Sequence, residues 1–124
     1  MVILKKEAIE SLNEKLSLPA TGIEQDWEVE LADSNRVHEF ISYYKKHPLT
    51  SDEKKALMSL ILASYDDFLN EKDSNTGQFW NDIRQAIESD YDLLTELLDY
   101  WSLPDEDDSE NWFKITPLIR KIKV

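Results

Sequence analysis

TSDEKKALMSLILASYDDFLN, residues 50–70, predicts the longest helix of the chain. It opens with a capping box, in which the Thr50 hydroxyl accepts a hydrogen bond from the Glu53 N–H and the Glu53 carboxylate accepts one from the Thr50 N–H. Apolar and small residues then recur at helical spacing: Leu57, Leu60, Ile61, Ser64, Tyr65, Phe68 and Leu69. The stretch therefore predicts a capped helix that faces a core and ends near Asn70.

The sequence on both sides of this stretch also favours helices, because it is rich in leucine and contains only two glycines. Further helices are predicted over 3–17, from Asp33 or Ser34 to His47, from a cap at Thr76, over 91–102 from a cap at Asp90, and from a cap at Thr116. Short connections favour antiparallel neighbours. We expect one all-α domain over residues 1–124, with five or six antiparallel packed helices. Its predicted core includes Leu60, Ile61, Ile83, Leu94, Leu98 and Trp101.

Residues 23–32 depart from the helical pattern. Trp27, Val29 and Leu31 alternate with acidic residues, and this period of two is typical of a β-strand. No second segment of the sequence offers a convincing strand to pair with it. We therefore expect an irregular extended segment that lies across the helices, and a short strand over 26–32 is the alternative.

Negative charge is concentrated in the second half of the chain, which has a net charge of −12 overall. Residues 63–113 hold 15 acidic residues but only two basic ones, whereas residues 114–124 hold four basic residues and no acid. This balance disfavours nucleic acids and anionic membranes as partners, because both are bound mainly by Lys and Arg. A basic protein partner would instead be attracted to the acidic block.

No set of residues matches a catalytic or metal-binding motif. Without cysteine the chain has neither disulfides nor thiolate sites, and His38 and His47 are not at the i, i+4 spacing of a helical zinc pair. A calcium loop that starts at Asp105 would need glycine where Glu110 stands and glutamate where Thr116 stands. We therefore expect a protein that is not an enzyme and that has no metal or cofactor site.

The densest acidic run lies between Trp101 and Trp112, which we expect to anchor its two ends. The acids of the predicted helix 91–102 fall opposite its leucines, and the run 105–108 extends this stripe past the helix end, where acidic charge opposes the helix dipole. The alternative is a solvated connector that the basic tail folds back to neutralise, and this role can coexist with partner binding. We predict that a basic partner binds the surface formed by Asp92, Glu96, Asp99, Asp105, Glu106, Asp107, Asp108 and Trp112.

The chain resembles the small acidic helical immunity proteins that bacteria carry beside secreted toxins. The segments that carry the resemblance are DWEVELADSNRVHEFISYY (26–44), LTSDEKKALMSLILASYDDFL (49–69), LLTELLDYWS (93–102) and WFKITPLIRKI (112–122). The resemblance implies a cytoplasmic protein that binds one toxin domain and covers its active site. No stretch predicts a secretory signal or a membrane span, which agrees with a cytoplasmic location. A helical scaffold or adaptor with an acidic, solubilising face is the alternative.

Overall fold

The computed structural model describes residues 4–72 and 78–123, and these residues form an all-α fold, as predicted. Its seven α-helices are α1 (Lys6–Lys15), α2 (Trp27–Glu30), α3 (Val37–Lys46), α4 (Ser51–Lys72), α5 (Gln78–Ser89), α6 (Thr95–Ser102) and α7 (Thr116–Lys123). Two short 3-10 turns, Ser34–Arg36 and Ser109–Asn111, precede α3 and α7. The helix beyond the five or six expected is α2. The predicted cap Thr76 lies outside the described residues, and the antiparallel arrangement stays a prediction.

Helix α4 is the centre of the fold. Every residue from Ala56 to Asp66 is buried, so protein surrounds this part of the helix on all sides. Helices α1, α2 and α3 pack against α4, α5 packs on α3, and α7 packs on α6. The sequence predicted a single stripe on this helix, whereas in the structure Met58, Ser59 and Leu62, which lie outside that stripe, are buried as well.

The buried apolar side chains form one cluster to which every helix contributes. Its members include Leu12 on α1, Trp27 on α2 and Phe40 on α3. The predicted core residues are all buried: Leu60, Ile61, Ile83, Leu94, Leu98 and Trp101. Burial of this kind is the main favourable contribution to folding, at about 25 cal/mol for each Å² of apolar surface removed from water.

The expectation of an extended segment over residues 23–32 is wrong, because residues 27–30 form the short helix α2. Trp27 and Leu31 are buried four residues apart, on one face of a helical turn, whereas Val29 is 54% exposed. The Trp27 indole N–H also donates to the side chain of Asn13 on α1, at 2.8 Å. The alternative of a short strand over 26–32 is wrong as well, since the described part of the chain contains no strand.

The predicted cap at Asp90 is also wrong, because α6 begins at Thr95 and the Asp90 side chain has other partners. Its carboxylate accepts hydrogen bonds from the Tyr44 hydroxyl at 2.8 Å and from the Lys54 ammonium at 3.1 Å. Burial is the main cause that raises the pKa of the Tyr44 phenol, and the hydrogen bond from Tyr44 to Asp90 is the second. Asp90 therefore ties α3 and α4 to the chain that leaves α5.

The capping box predicted at the start of α4 is present. The Thr50 N–H donates to the Glu53 carboxylate at 2.9 Å, and the Glu53 N–H donates to the Thr50 hydroxyl at 3.1 Å. The same carboxylate accepts from Ser11 at 2.7 Å and from Lys15 at 2.9 Å, both on α1. The donors on Thr50, Ser11 and Lys15 lower the pKa of Glu53 to about 2. Glu53 therefore caps α4 and joins it to α1.

Substitution Glu53→Gln should lower the free energy of unfolding at pH 7 by about 2 kcal/mol, because charge-assisted hydrogen bonds to a buried carboxylate are lost. The pKa of Glu53 is lower in the folded protein than its ordinary 4.5. Its contribution is therefore complete above pH 4.5 and is lost as the pH falls towards 2.

Urea denaturation at a series of pH values checks this prediction. The wild-type and Glu53→Gln proteins should differ at neutral pH and converge in acid, whereas a difference that stays constant with pH would contradict the assignment. As a control, Glu14→Gln on the exposed surface of α1 should change stability by less than about 0.5 kcal/mol.

Candidate protein-binding surface

The structure places the predicted acidic residues on α6 and on the chain either side of it. Glu96 and Asp99 lie on α6 and are exposed, as are three residues of the loop that follows: Asp105, Asp107 and Asp108. Glu106 is half-buried. Asp92 is exposed but lies in the turn before the helix, because α6 begins at Thr95 rather than at residue 91. The predicted helical stripe from Asp92 is therefore wrong, and only Glu96 and Asp99 share the helix.

Three of these acids come together around a shallow hollow of about 380 Å³. Asp99 approaches Asp105 and Glu106 there, and Tyr100, Leu103 and Pro104 line the rest. The chain reverses at this point because Leu103 adopts a left-handed conformation, with φ of 47°, at the end of α6. The Glu106 N–H then donates to the Leu103 carbonyl at 3.0 Å. The acidic loop thus folds back next to the helix that precedes it.

Arg120 on α7 holds this turn in place. Its guanidinium donates to the carbonyl oxygens of Ser102 at 2.7 Å, of Glu106 at 2.9 Å, and of Leu103. A left-handed conformation costs a residue with a side chain about 1–2 kcal/mol, and the hydrogen bond to its carbonyl helps to offset this cost at Leu103. The guanidinium also lies 4.0 Å from the centroid of the Trp112 ring, within the range of a cation–π interaction.

The basic tail therefore does fold back, and within it Arg120 reaches backbone carbonyls rather than carboxylates. Arg120 places positive charge at the C-terminus of α6, where a cation interacts favourably with the helix dipole. Within residues 4–72 and 78–123, no ion pair links residues 105–108 to Lys114 or Arg120. Arg120 fixes the shape of the acidic loop without covering its side chains.

Both tryptophans attach the ends of the loop to the fold. Trp101 is buried, and its ring lies 4.6 Å from that of Phe113. Trp112 is half-buried, and its indole N–H donates to the Glu106 carbonyl at 2.9 Å. The Thr116 hydroxyl donates to the Trp101 carbonyl at 2.9 Å and accepts from the Phe113 N–H at 3.1 Å. The Thr116 hydroxyl therefore joins the start of α7 to the end of α6, whereas the sequence predicted that it would cap α7.

Substitution Arg120→Ala should lower the free energy of unfolding by about 2–3 kcal/mol, because three charge-assisted hydrogen bonds and the contact with Trp112 are lost together. Lys121→Ala removes the same charge from an exposed neighbour and should change stability by less than about 0.5 kcal/mol. Urea denaturation followed by tryptophan fluorescence measures both. Equal effects of the two substitutions would show that Arg120 contributes only charge.

A second group of acids next to α6 was not predicted from the sequence. Tyr100, which is 45% exposed, lines both the hollow and a larger cleft of about 530 Å³ between α6 and residues 24–28. The acids of this cleft are Glu24, Asp26 and Glu28. Burial, and then the charges of Glu28 and Asp26, raise the pKa of the Tyr100 phenol. The alternation of these acids in sequence was a signal, but the expected extended conformation gave no reason to place them beside α6.

Glu24 has a local structural role at the entrance of this segment. Its carboxylate accepts hydrogen bonds from the Thr21 N–H at 2.6 Å, from the Thr21 hydroxyl at 2.7 Å and from the Gly22 N–H at 3.1 Å. These bonds, led by the one from the Thr21 N–H, lower the pKa of Glu24. Gly22 has a φ of 91°, which favours glycine at this turn. The turn fixes the direction in which the chain begins the wall of the cleft formed by residues 24–28.

Two kinds of site can be searched for in the described residues. Across residues 4–72 and 78–123, no three side chains of His, Asp or Glu are grouped so that they could hold a metal ion. No helix in this part of the chain has both the length and the apolar character needed to cross a bilayer. Comparison of the chain with known protein families, with curated proteins and with solved structures finds no match.

Proposed function

We propose that the protein is a non-catalytic protein-binding protein of the cytoplasm, and specifically an immunity protein that binds and neutralises a cognate bacterial toxin domain. The observation that carries the proposal is the hollow at the end of α6, where Asp99, Asp105 and Glu106 come together. We propose that the neighbouring acids of the chain extend it to one acidic face, formed by Asp92, Glu96, Asp99, Asp105, Glu106, Asp107 and Asp108, with Trp112 at its edge. A basic partner of complementary shape would bind here.

The acidic face is suited to binding because its loop has a defined shape. Arg120 and the indole N–H of Trp112 fix the backbone of residues 102–106 through hydrogen bonds to carbonyl oxygens. A surface that is already ordered loses less conformational entropy when a partner binds.

We also propose that neighbouring helices pack antiparallel, since the connection between α3 and α4 spans only residues 47–50. Such packing gives the face a rigid support.

The charge of the face would act mainly on encounter with the partner. Clustered acidic side chains attract a basic protein over several ångströms and speed association, while apolar and hydrogen-bonded contacts set the lifetime of the complex. Trp112 is half-buried beside the face and offers apolar contact at its edge.

The test begins with the neighbouring genes. An immunity protein would be encoded next to a large secreted protein with a variable C-terminal domain, whereas a scaffold or adaptor would lack such a neighbour. That C-terminal domain is expressed in bacteria with and without this protein. We expect the domain to arrest growth, this protein to relieve the arrest, and the two purified proteins to form a complex on size-exclusion chromatography. Growth arrest that persists despite full expression of this protein would contradict the proposal.

A further inference from the structure

The cleft beside Tyr100 combines apolar walls with an acidic rim. The cleft is lined by Leu4, by α1, by residues 24–28, by α4 and by α6. The apolar lining includes Trp27, Leu97 and Trp101, while Asp26 and Glu28 supply carboxylates. Its volume of about 530 Å³ lies within the range of sites that bind small ligands or single side chains.

The buried side of the cleft contains a polar group without a partner. Ser59 on α4 lines the cleft and is 1% exposed, and its hydroxyl has no hydrogen-bond partner in the described part of the protein. Ser64, also buried on α4, differs because its hydroxyl accepts from the Asp33 N–H at 2.9 Å. An unpaired buried hydroxyl is unfavourable, so a hydrogen-bonding ligand in the cleft would satisfy it.

Exposed apolar side chains lie in the cleft and next to its lining residues in the chain. Ile23 is 84% exposed and Val29 is 54% exposed, and these two residues directly flank the segment 24–28 in the chain. Tyr100, at 45% exposure, lines the cleft itself. Most large apolar side chains of the described residues are buried, so the exposed Tyr100 ring in the cleft is a candidate contact for another protein, since tyrosine is enriched at binding hot spots.

We propose that this cleft receives an arginine side chain of the basic partner, with its guanidinium against the Tyr100 ring, its N–H groups facing Asp26 and Glu28, and one N–H donated to the Ser59 hydroxyl. This inference rests on the proposed function, because it names the side chain by which the partner is held. It also extends the binding surface from the acidic face across Tyr100 to residues 24–28.

Arginine fits these groups better than lysine. Its planar guanidinium stacks on aromatic rings and carries five N–H donors, so that one side chain can serve a hydroxyl and carboxylates together. It is also more weakly hydrated than an ammonium group, which lowers the cost of entering an apolar cleft. Lysine is a compact, strongly hydrated charge and would leave much of the aromatic wall unused.

Titration of the full chain with N-acetyl-L-arginine amide tests the inference without a partner. The indole N–H signals of Trp27 and Trp101, followed by NMR, should shift in a saturable manner with a Kd of about 1–10 mM. N-acetyl-L-citrulline amide has the same shape without the charge and should bind at least about fivefold more weakly. Equal binding of the two probes, or no saturable shift at these signals, would overturn the inference.

Variants then locate the site. The double substitution Asp26→Asn and Glu28→Gln should weaken binding of the arginine probe about 5–10-fold. The matched double substitution Asp82→Asn and Glu88→Gln, on α5, changes the same charge and should leave the affinity unchanged. Equal weakening by both pairs would mean that the probe senses only net charge, and would contradict the assigned cleft.

Ser59→Ala separates binding from folding. It should weaken the probe several-fold while leaving the stability equal or higher, because it removes a buried hydroxyl without a partner. An unchanged probe affinity would contradict the role of Ser59.

The outcomes also distinguish this inference from the proposed function. If the arginine probe binds as described but no toxin domain does, the cleft stands and the immunity role fails. If a toxin domain binds equally well to the Asp26 and Glu28 double variant, the immunity role stands and the cleft assignment fails.

Discussion

Substitution Trp101→Ala should lower the free energy of unfolding by about 3–5 kcal/mol, which is a large fraction of the 5–15 kcal/mol typical of a whole domain. Trp101 is 3% exposed, and its ring lies 4.6 Å from Phe113 and 5.3 Å from Tyr100. Removal of the indole leaves a cavity where α6 packs against α7. The same change loosens one of the two anchors of the acidic loop.

Urea denaturation followed by circular dichroism measures the effect, and the midpoint should fall by roughly 2 M. Tyr91→Ala is the matched control, because Tyr91 is a large aromatic side chain that is 36% exposed in the turn before α6. Its loss should cost less than about 1 kcal/mol. A decrease below about 1 kcal/mol for Trp101→Ala would show that α6 does not pack against the core as the structure indicates.

Features that depend on neighbouring residues were predictable from the sequence. The capping box of Thr50 and Glu53 needs only two residues three positions apart, and both of its hydrogen bonds are present. The helical spacing of apolar residues likewise predicted α3, whose apolar residues Val37, Phe40, Ile41 and Tyr44 are buried. In these cases the local pattern and the tertiary packing favour the same conformation.

Features that arise from packing between distant segments could not be predicted in this way. Glu53 also binds Ser11 and Lys15, which are 42 and 38 residues away in the chain. For residues 23–32, buried positions at Trp27 and Leu31 fit both a strand and a helix, and only Val29 distinguishes them. Because Val29 is exposed in the structure, the period of two was misleading.

The acidic residues of the candidate surface were visible in the sequence, but their supports were not. Arg120 belongs to a basic tail whose expected partners were carboxylates, whereas it binds the carbonyls that end α6. A guanidinium is favourable at the C-terminus of any helix, so the residues around Arg120 do not indicate which helix end it contacts. The proximity of Asp26 and Glu28 to Tyr100 depends on residues 24–28 lying across the cleft from α6, which no pattern in residues 23–32 specifies.

Charge reversal of the acidic run, with lysine at positions 105–108, should slow association with the proposed toxin partner about 10–100-fold. The attraction that these residues exert before contact becomes a repulsion, while contacts elsewhere in the interface are retained. The fold should survive, with a change in stability within about 1 kcal/mol, because Arg120 binds the backbone of this loop and lysines at the end of α6 favour the helix dipole.

A control variant makes the same change in net charge elsewhere. Lysine in place of Glu7 and Glu10 on α1 and of Asp82 and Glu88 on α5 reverses four exposed acids outside the acidic face. Long-range attraction depends on total charge as well as on position, so this variant should also bind more slowly, but by less than about threefold at physiological salt, where charges are screened within about 8 Å.

The most direct test of the proposed acidic face is the association rate of the proposed toxin partner, measured by stopped-flow fluorescence from about 0.01 to 1 M salt. For the wild-type protein we expect a rate that falls steeply with salt. For the variant with lysine at positions 105–108 we expect a slower rate at low salt that depends only weakly on salt, while the control variant keeps most of the wild-type dependence. If the reversal left both the rate and its salt dependence unchanged, residues 105–108 would be a solvated connector and the partner would bind elsewhere.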